Sequence, residues 1–500
     1  MTINVETTHG HIAGRAHGAH QSFLGIPYAA PPTGARRFSA PAAADPWSGV
    51  RDASAYGPSA PQGPSRLPGM AVGATAEDCL TLNVFTPAAD GAARPVMFWI
   101  HGGGFTGGSG SQDLYAGGPL VERGDIVLVT INYRLGALGY LAPTSAARAR
   151  AAVANAGQLD QIAALEWVRD NIARFGGDPG NVTIFGESAG GMAVATLLAM
   201  PAARGLFHRA IPQSGAAHHT HSEASGERVT QALLAELQLQ ADQVEELWSV
   251  PFADLVAAQG RVAARNMFLA FAPSIDSDTL PENPVAAVRA GSASGIDLLI
   301  GSNRDEAKLF RMGRPLGDDF DAARLQRAVE KLLPAAASPS EATQLIDSYR
   351  KAREGRVSTE PAELLDAIDS DLRFRLPAIR LAEAQAAHAA VYSYLFNWES
   401  PARRGALGAC HALELPFVFG TLDAPTMDRF ADKGPDAVAL SLNMMDAWIA
   451  FARGGDPNHA GSPDWPRYDE TRRATMIYDR ESAAADGPLD EERAAWDGIL

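Results

Sequence analysis

Residues 182–200, VTIFGESAGGMAVATLLAM, constrain this chain more than any other stretch. Residues 182–186 read as a strand, and an apolar helical pattern follows almost at once. The segment GESAG between them has to turn within a few residues. Gly186 and Gly190 remove side chains that would collide there, and Ser188 at the centre is pushed above the sheet edge. The helix that follows offers free backbone N–H groups and a positive dipole end. An incidental Gly/Ser turn is the bland alternative, but the strand–turn–helix context makes Ser188 the expected nucleophile.

The same rhythm recurs along the chain. Residues 95–100 (PVMFWI) and 126–131 (IVLVTI) are short apolar runs, the appearance of strands buried on both faces. Residues 158–175 carry Leu159, Ile162, Leu165, Val168 and Ile172 at helical spacing, ended by Gly176-Gly177-Asp178-Pro179. Residues 296–300 and 390–396 are further strand candidates. The expected class is therefore α/β with a mostly parallel central sheet and helices on both faces. The first ninety residues, rich in Gly, Pro and Ala, read mainly as loops, notably 58–73. Helical blocks near 224–264 and 319–389 interrupt the strands and are expected as insertions over the active site. No linker divides the chain, so one domain over 1–500 is expected.

An attacking serine needs donors for the developing oxyanion. HGGGF (101–105) follows the strand at 95–100, and its glycines let backbone N–H groups approach a ligand. Gly103, Gly104 and Ala189 are the expected donors. A phosphate nest is the competing reading, but no P-loop lysine follows. The acid and then the base should come later in the chain than such a serine. Of twelve histidines, His9, His11, His17, His20 and His101 come too early. His208, His218, His219 and His221 leave no room for an acid strand. His388 precedes the strand at 390–396, and His459 sits in a loop. His411 remains as the base. For the acid, Asp305 and Glu306 both lie just past the strand at 296–300, and the pattern does not choose between them. Either would orient the imidazole and stabilise imidazolium.

Composition narrows the alternatives. With 42 Lys and Arg against 58 Asp and Glu, the net charge is -16, which disfavours nucleic acid and anionic membrane surfaces. No apolar run approaches a membrane span. Two cysteines exclude a disulfide scaffold. The N-terminal residues lack a leader pattern, so a cytoplasmic location is expected. The residues leave the oligomeric state open, and a monomer is compatible with them. HHxH at 218–221 lacks a completing carboxylate, so no metal and no cofactor is expected. His218 and His219, which follow QSG, are instead candidates for the pocket wall, together with Phe105 and Met70.

Taken together, these motifs resemble the type B carboxylesterases, the cholinesterase-like group of α/β-hydrolases, and in particular bacterial para-nitrobenzyl-esterase-like members. The resemblance rests on FLGIPYAAPPTGARRF (23–38), EDCLTLNVFTP (77–87), HGGGF, NYRLGALGYL (132–141), residues 160–191, QSG (213–215), the pair at 305–306, HALELPFVFG and GGDPNHAGSPDWPRY (454–468). It implies an α/β-hydrolase fold and cleavage of small-molecule carboxylic esters through an acyl-enzyme. It implies Ser188 as nucleophile, Glu306 as acid and His411 as base, with Glu187 and Ser214 packed behind them. Carbamate or amide cleavage by the same groups is the alternative activity. A non-catalytic binding protein on the same fold is disfavoured because every triad position is filled. Animal members bridge the equivalent of Cys79 to a cysteine that is Ala60 here, so Cys79 and Cys410 are expected as free thiols. The unbridged loop 60–76 is expected to be mobile.

Overall fold

The apolar runs at 95–100 and 126–131 become neighbouring strands in the middle of one large sheet. The computed structural model describes residues 1–65, 69–265, 269–312, 316–317 and 319–500. Residues 66–68 of the expected loop 60–76 lie outside the described residues. Thirteen strands are present among the described residues: Thr2–Thr7 (β1), Gly10–Ala16 (β2), Gln21–Pro27 (β3), Val50–Asp52 (β4), Thr81–Thr86 (β5), Arg94–Ile100 (β6), Val127–Ile131 (β7), Gly177–Glu187 (β8), Arg209–Gln213 (β9), Asp297–Asn303 (β10), Val391–Phe396 (β11), Ala474–Tyr478 (β12) and Ala483–Asp486 (β13). Their spatial order is β1-β2-β3-β5-β7-β6-β8-β9-β10-β11-β12-β13, with β4 beside β2. From β7 to β12 every neighbouring pair is parallel. The other pairs along that order are antiparallel.

Period-two alternation divides the central strands between two cores. Val96, Phe98 and Ile100 of β6 face one core, with Ile162, Leu165 and Val168 of the helix Ala156–Asn171 and Val194 of the helix Ala189–Leu197. Met97 and Trp99 face the other core, with Leu440, Met444 and Trp448 of the helix Pro435–Gly454. Strands covered on both faces lose the polar alternation of a surface sheet, which is why they read as unbroken apolar runs. The outer strands are different. The first ninety residues hold β1 to β5 rather than mainly loops, because short antiparallel strands with one wetter face and interior glycines carry a weak apolar signal.

Both interrupting blocks are helical, including Glu223–Glu236 and Phe252–Ala264 in the first. The second holds Ala322–Leu332, Pro339–Arg353, Pro361–Ser370 and Leu376–Ala386. It has a small core of its own around Leu325, Leu345, Tyr349 and Ile368, closed by Trp496 near the end of the chain. The Trp496 indole N–H donates to Tyr349 Oη at 2.7 Å. A one-turn π-helical stretch, Asp371–Arg375, joins the last two helices of that block. Among the described residues, no helix is long and apolar enough to cross a membrane.

Candidate active site

β8 delivers Glu187 and then Ser188, whose φ of 56° and ψ of −124° place it at a sharp strand-to-helix turn. A side chain is not tolerated on either flank. A Cβ at Gly190 would lie 2.0 Å from Ile100 O, and one at Gly186 2.6 Å from Gly190 C. The turn is pinned from the next strand, where Gln213 O accepts the Ser188 N–H at 2.9 Å. Ser214 is fully buried and donates its N–H to Gly301 O at 2.9 Å. Among the described residues, its Oγ has no hydrogen-bond partner.

His411 follows β11 and is nearly buried. Its Nδ1 lies 2.6 Å from Glu306 Oε2. A carboxylate only accepts, so Nδ1 carries the proton and Nε2 is left as the working nitrogen. Glu306 is held in turn by the Asn303 N–H, which donates to Oε1 at 2.7 Å. The neighbour Asp305 faces elsewhere. It accepts from Ala409 N and Arg304 and lies 3.7 Å from Lys308 Nζ. Burial would raise the Asp305 carboxyl, but those two cations outweigh it and hold it below the usual range.

Three buried carboxylates surround the one imidazole. Besides Glu306, Glu187 Oε1 lies 3.0 Å from Nε2, off the axis of a hydrogen bond. Glu414 accepts from Asn303 Nδ2 at 2.7 Å and Gln213 Nε2 at 3.1 Å, and Gln213 accepts the Trp448 indole N–H. Burial pushes Glu187 well above the ordinary range, and burial together with the charge of Glu306 pushes Glu414 up to about 7. For His411, burial works downward, but the charges of Glu187 and Glu306 prevail and raise it to about 9. The rings of Phe374 and Phe310 pack on the imidazole with centroids 4.7 and 5.0 Å away.

Ser188 and His411 share a cavity of about 790 Å³. Gly103, Gly104 and Met70 line it with them, and Phe310, Phe374, Met312 and Leu309 give it an apolar wall. Among the described residues, no acceptor engages the N–H groups of Gly103, Gly104 or Ala189. Ser188 Oγ likewise makes no hydrogen bond among them; such contacts often tighten only with substrate present.

Phe105, His218 and His219 depart from expectation, since none of them lines this cavity. Phe105 is fully buried against Tyr140, with ring centroids 4.8 Å apart, because its positive φ of 58° turns the side chain into the core. The His218 and His219 rings pack on each other at 3.6 Å. Burial lowers them to about 3 and about 2, so both are neutral. His221 Nε2 lies 3.1 Å from Leu269 O and 3.0 Å from Ala270 O and serves the loop there. Among the described residues, no three His, Cys, Asp or Glu side chains group as a metal site. Sequence reasoning passed over Asn303, Gln213, Glu414, Phe310 and Phe374. Only Glu414, three residues after His411 in HALE, and Gln213, the first residue of QSG, offered a local signal.

A pattern described as the carboxylesterase family matches residues 2–496. This chain belongs to the carboxylesterase family. The carboxylesterase is 42% identical to para-nitrobenzyl esterase of Bacillus subtilis, covering 99% of this chain and 98% of that protein. It is 38% identical to phenmedipham hydrolase of Pseudarthrobacter oxydans, covering 95% of each. Among solved structures, it superposes on a thermophilic PNB esterase with a TM-score of 0.87 at 40% identity, covering 98% of this chain and 99% of the other. A Geobacillus stearothermophilus carboxylesterase gives the same TM-score and identity over 99% of both chains. The carboxylesterase therefore has the α/β-hydrolase fold and is a serine hydrolase of carboxylic esters.

Proposed function

We propose that this carboxylesterase cleaves small-molecule esters through an acyl-enzyme on Ser188, with His411 as base and Glu306 as its orienting acid. The observation that carries this reading is the 2.6 Å contact between Glu306 and His411 at the wall of the cavity that Ser188 enters. In the first half-reaction Ser188 Oγ attacks the ester carbonyl while His411 Nε2 takes its proton. The carbonyl oxygen becomes an oxyanion within reach of the unengaged N–H groups of Gly103, Gly104 and Ala189, which need no reorganisation to receive it. Imidazolium then gives its proton to the departing alcohol. Water repeats the sequence on the acyl-enzyme and releases the acid. Glu306 stabilises imidazolium in both halves.

Every group in this scheme comes from one chain, so a monomer suffices. The free, buried Cys79 and Cys410 agree with a reducing compartment such as the cytoplasm. The test is a phenyl ester assayed with Ser188→Ala beside the wild-type protein. A loss of about 10⁶ in kcat is expected. Retention of more than about a tenth of the activity would remove Ser188 from the mechanism.

A further inference from the structure

The cavity wall contributed by the helix Phe252–Ala264 has its own chemistry. Val256, Gln259, Gly260 and Ala263 all line the cavity. Their spacing of three, four and seven residues puts them on one stripe of the helix. Three of the four are small and apolar. At Gly260 an added Cβ would meet nothing within 4 Å, so the stripe leaves a bay there.

Gln259 is the exception on that stripe. It is only 6% exposed, and its Oε1 accepts the Ala137 N–H at 3.0 Å. An N–H can be met only by the amide oxygen, so the bond fixes Nε2 as the other arm. The amide fills the space that a side chain at Gly136 would need: an added Cβ would lie 2.0 Å from Oε1 and 2.8 Å from Nε2. Among the described residues, Nε2 donates to nothing. The residue is buried as a whole, but Nε2 is not one of its buried unpaired atoms; it opens on the cavity that Gln259 lines, where a substrate acceptor can take the place of water. Other cavity amides are differently placed. Gln62 spends both arms on Gly108 and Ala60, and among the described residues the Gln112 amide is anchored only by a long 3.4 Å contact from the Ser109 N–H to Oε1.

We propose that Gln259 Nε2 is a specificity-determining donor for the part of the substrate that does not react. The preferred substrates are then esters that carry a hydrogen-bond acceptor, such as an ether or carbonyl oxygen, a few atoms from the scissile carbonyl, with adjacent bulk seated in the bay at Gly260. This inference rests on ester hydrolysis at Ser188. Gln259 touches substrate through a preset donor, so it discriminates by leaving itself unpaired when a hydrocarbon chain binds.

Two isosteric ester pairs test the proposal. Phenyl methoxybutyrate against phenyl hexanoate places an ether oxygen in the acid. Methoxypropyl butyrate against pentyl butyrate places it in the alcohol. Gln259→Glu keeps an acceptor for Ala137 N–H and replaces the donor arm with a second acceptor. In one pair the ether-to-hydrocarbon ratio of kcat/KM should fall about tenfold in the variant, whatever the absolute rate. Ratios unchanged in both pairs would overturn the proposal. The wild-type protein supplies a second reading that needs no variant. An apolar wall without a donor disfavours the ether, so the wild type should prefer the ether ester of that pair. A preference for the hydrocarbon in both pairs would also overturn it. Turnover that survives in Ser188→Ala would instead count against the nucleophile, so the two failures are distinguishable.

Discussion

Glu187 Oε1 lies 3.0 Å from His411 Nε2, although Glu187 is the residue next to Ser188 in the chain. An imidazole lone pair and a carboxylate oxygen repel at that separation, so one proton belongs to the pair. The two charges act on each other: Glu187 raises His411, and His411 lowers Glu187, which burial still leaves well above the ordinary range. The proposed mechanism requires Nε2 to be free of that proton when Ser188 attacks.

The pH profile follows from this. With neutral His411 as the proposed base, kcat/KM should fall as pH drops through its pKa, which is raised to about 9. The acid limb of the wild type should therefore lie above the ordinary histidine value of about 6.5. Glu187→Gln removes one of the charges that hold the imidazolium, so the limb should move down by roughly one pH unit or more. Superimposable profiles for the two proteins would refute the coupling.

Asp305 and Glu306 are adjacent in the chain but should fail differently. Glu306→Gln cannot stabilise imidazolium, and a kcat loss of up to about 10⁴ is expected with little change in Tm. Asp305→Asn breaks the contacts to Arg304 and Lys308, so its signature is a lowered Tm with most of kcat retained. The Asp305 carboxyl is held low in the folded protein. Its stabilisation is therefore present above the unfolded value of about 3.9 and lost as pH falls through the folded one. The variant should narrow its Tm gap from wild type in acid. Paired thermal scans at neutral and acid pH measure this.

Gly190→Ala puts a methyl group 2.0 Å from Ile100 O. The obstacle is backbone on both sides, so the turn cannot relax locally. A stability loss of about 3 kcal/mol or more is expected, read as a lower urea midpoint. A midpoint equal to wild type would show that β6 and β8 do not hold the turn as described.

Cys79 and Cys410 are both buried, and burial raises both thiols far above neutrality. A disulfide reagent should find almost no reactive thiol in the native protein and two after unfolding. Dithiothreitol should leave the rate unchanged. A rapid titration of either thiol in the native state would contradict this packing.

The parts of this molecule legible in the sequence are those whose requirement is local. Gly186 and Gly190 announce a tight turn because no other residue type fits it. The apolar runs in β6, β7, β10 and β11 announce themselves because both faces are covered. Asp305 and Glu306 were inseparable on pattern because their difference is a direction in space, set by Arg304 on one side and His411 on the other. Phe374 reaches the imidazole, and Asn303 the Glu414 carboxylate, through long-range closure of the sheet, which leaves no periodic trace. Phe105 and His218 show the reverse error: both flank catalytic motifs, yet backbone direction and burial take them away from the cavity.

The parallel order of β8, β9, β10 and β11 also has a consequence for how the protein is made. The Ser188 turn can form as soon as its neighbouring strands leave the ribosome, whereas His411 emerges only after β11. Until β11 emerges, a nascent chain carries Ser188 without its proposed base, on a sheet whose β10 edge is bare. Such a chain is catalytically silent and has an open edge that can pair with other strands. On the proposed mechanism ester turnover thus reports synthesis past His411: a polypeptide stopped short of it has no base for Ser188, and a chaperone would meet one stopped before β11 at the uncovered side of β10.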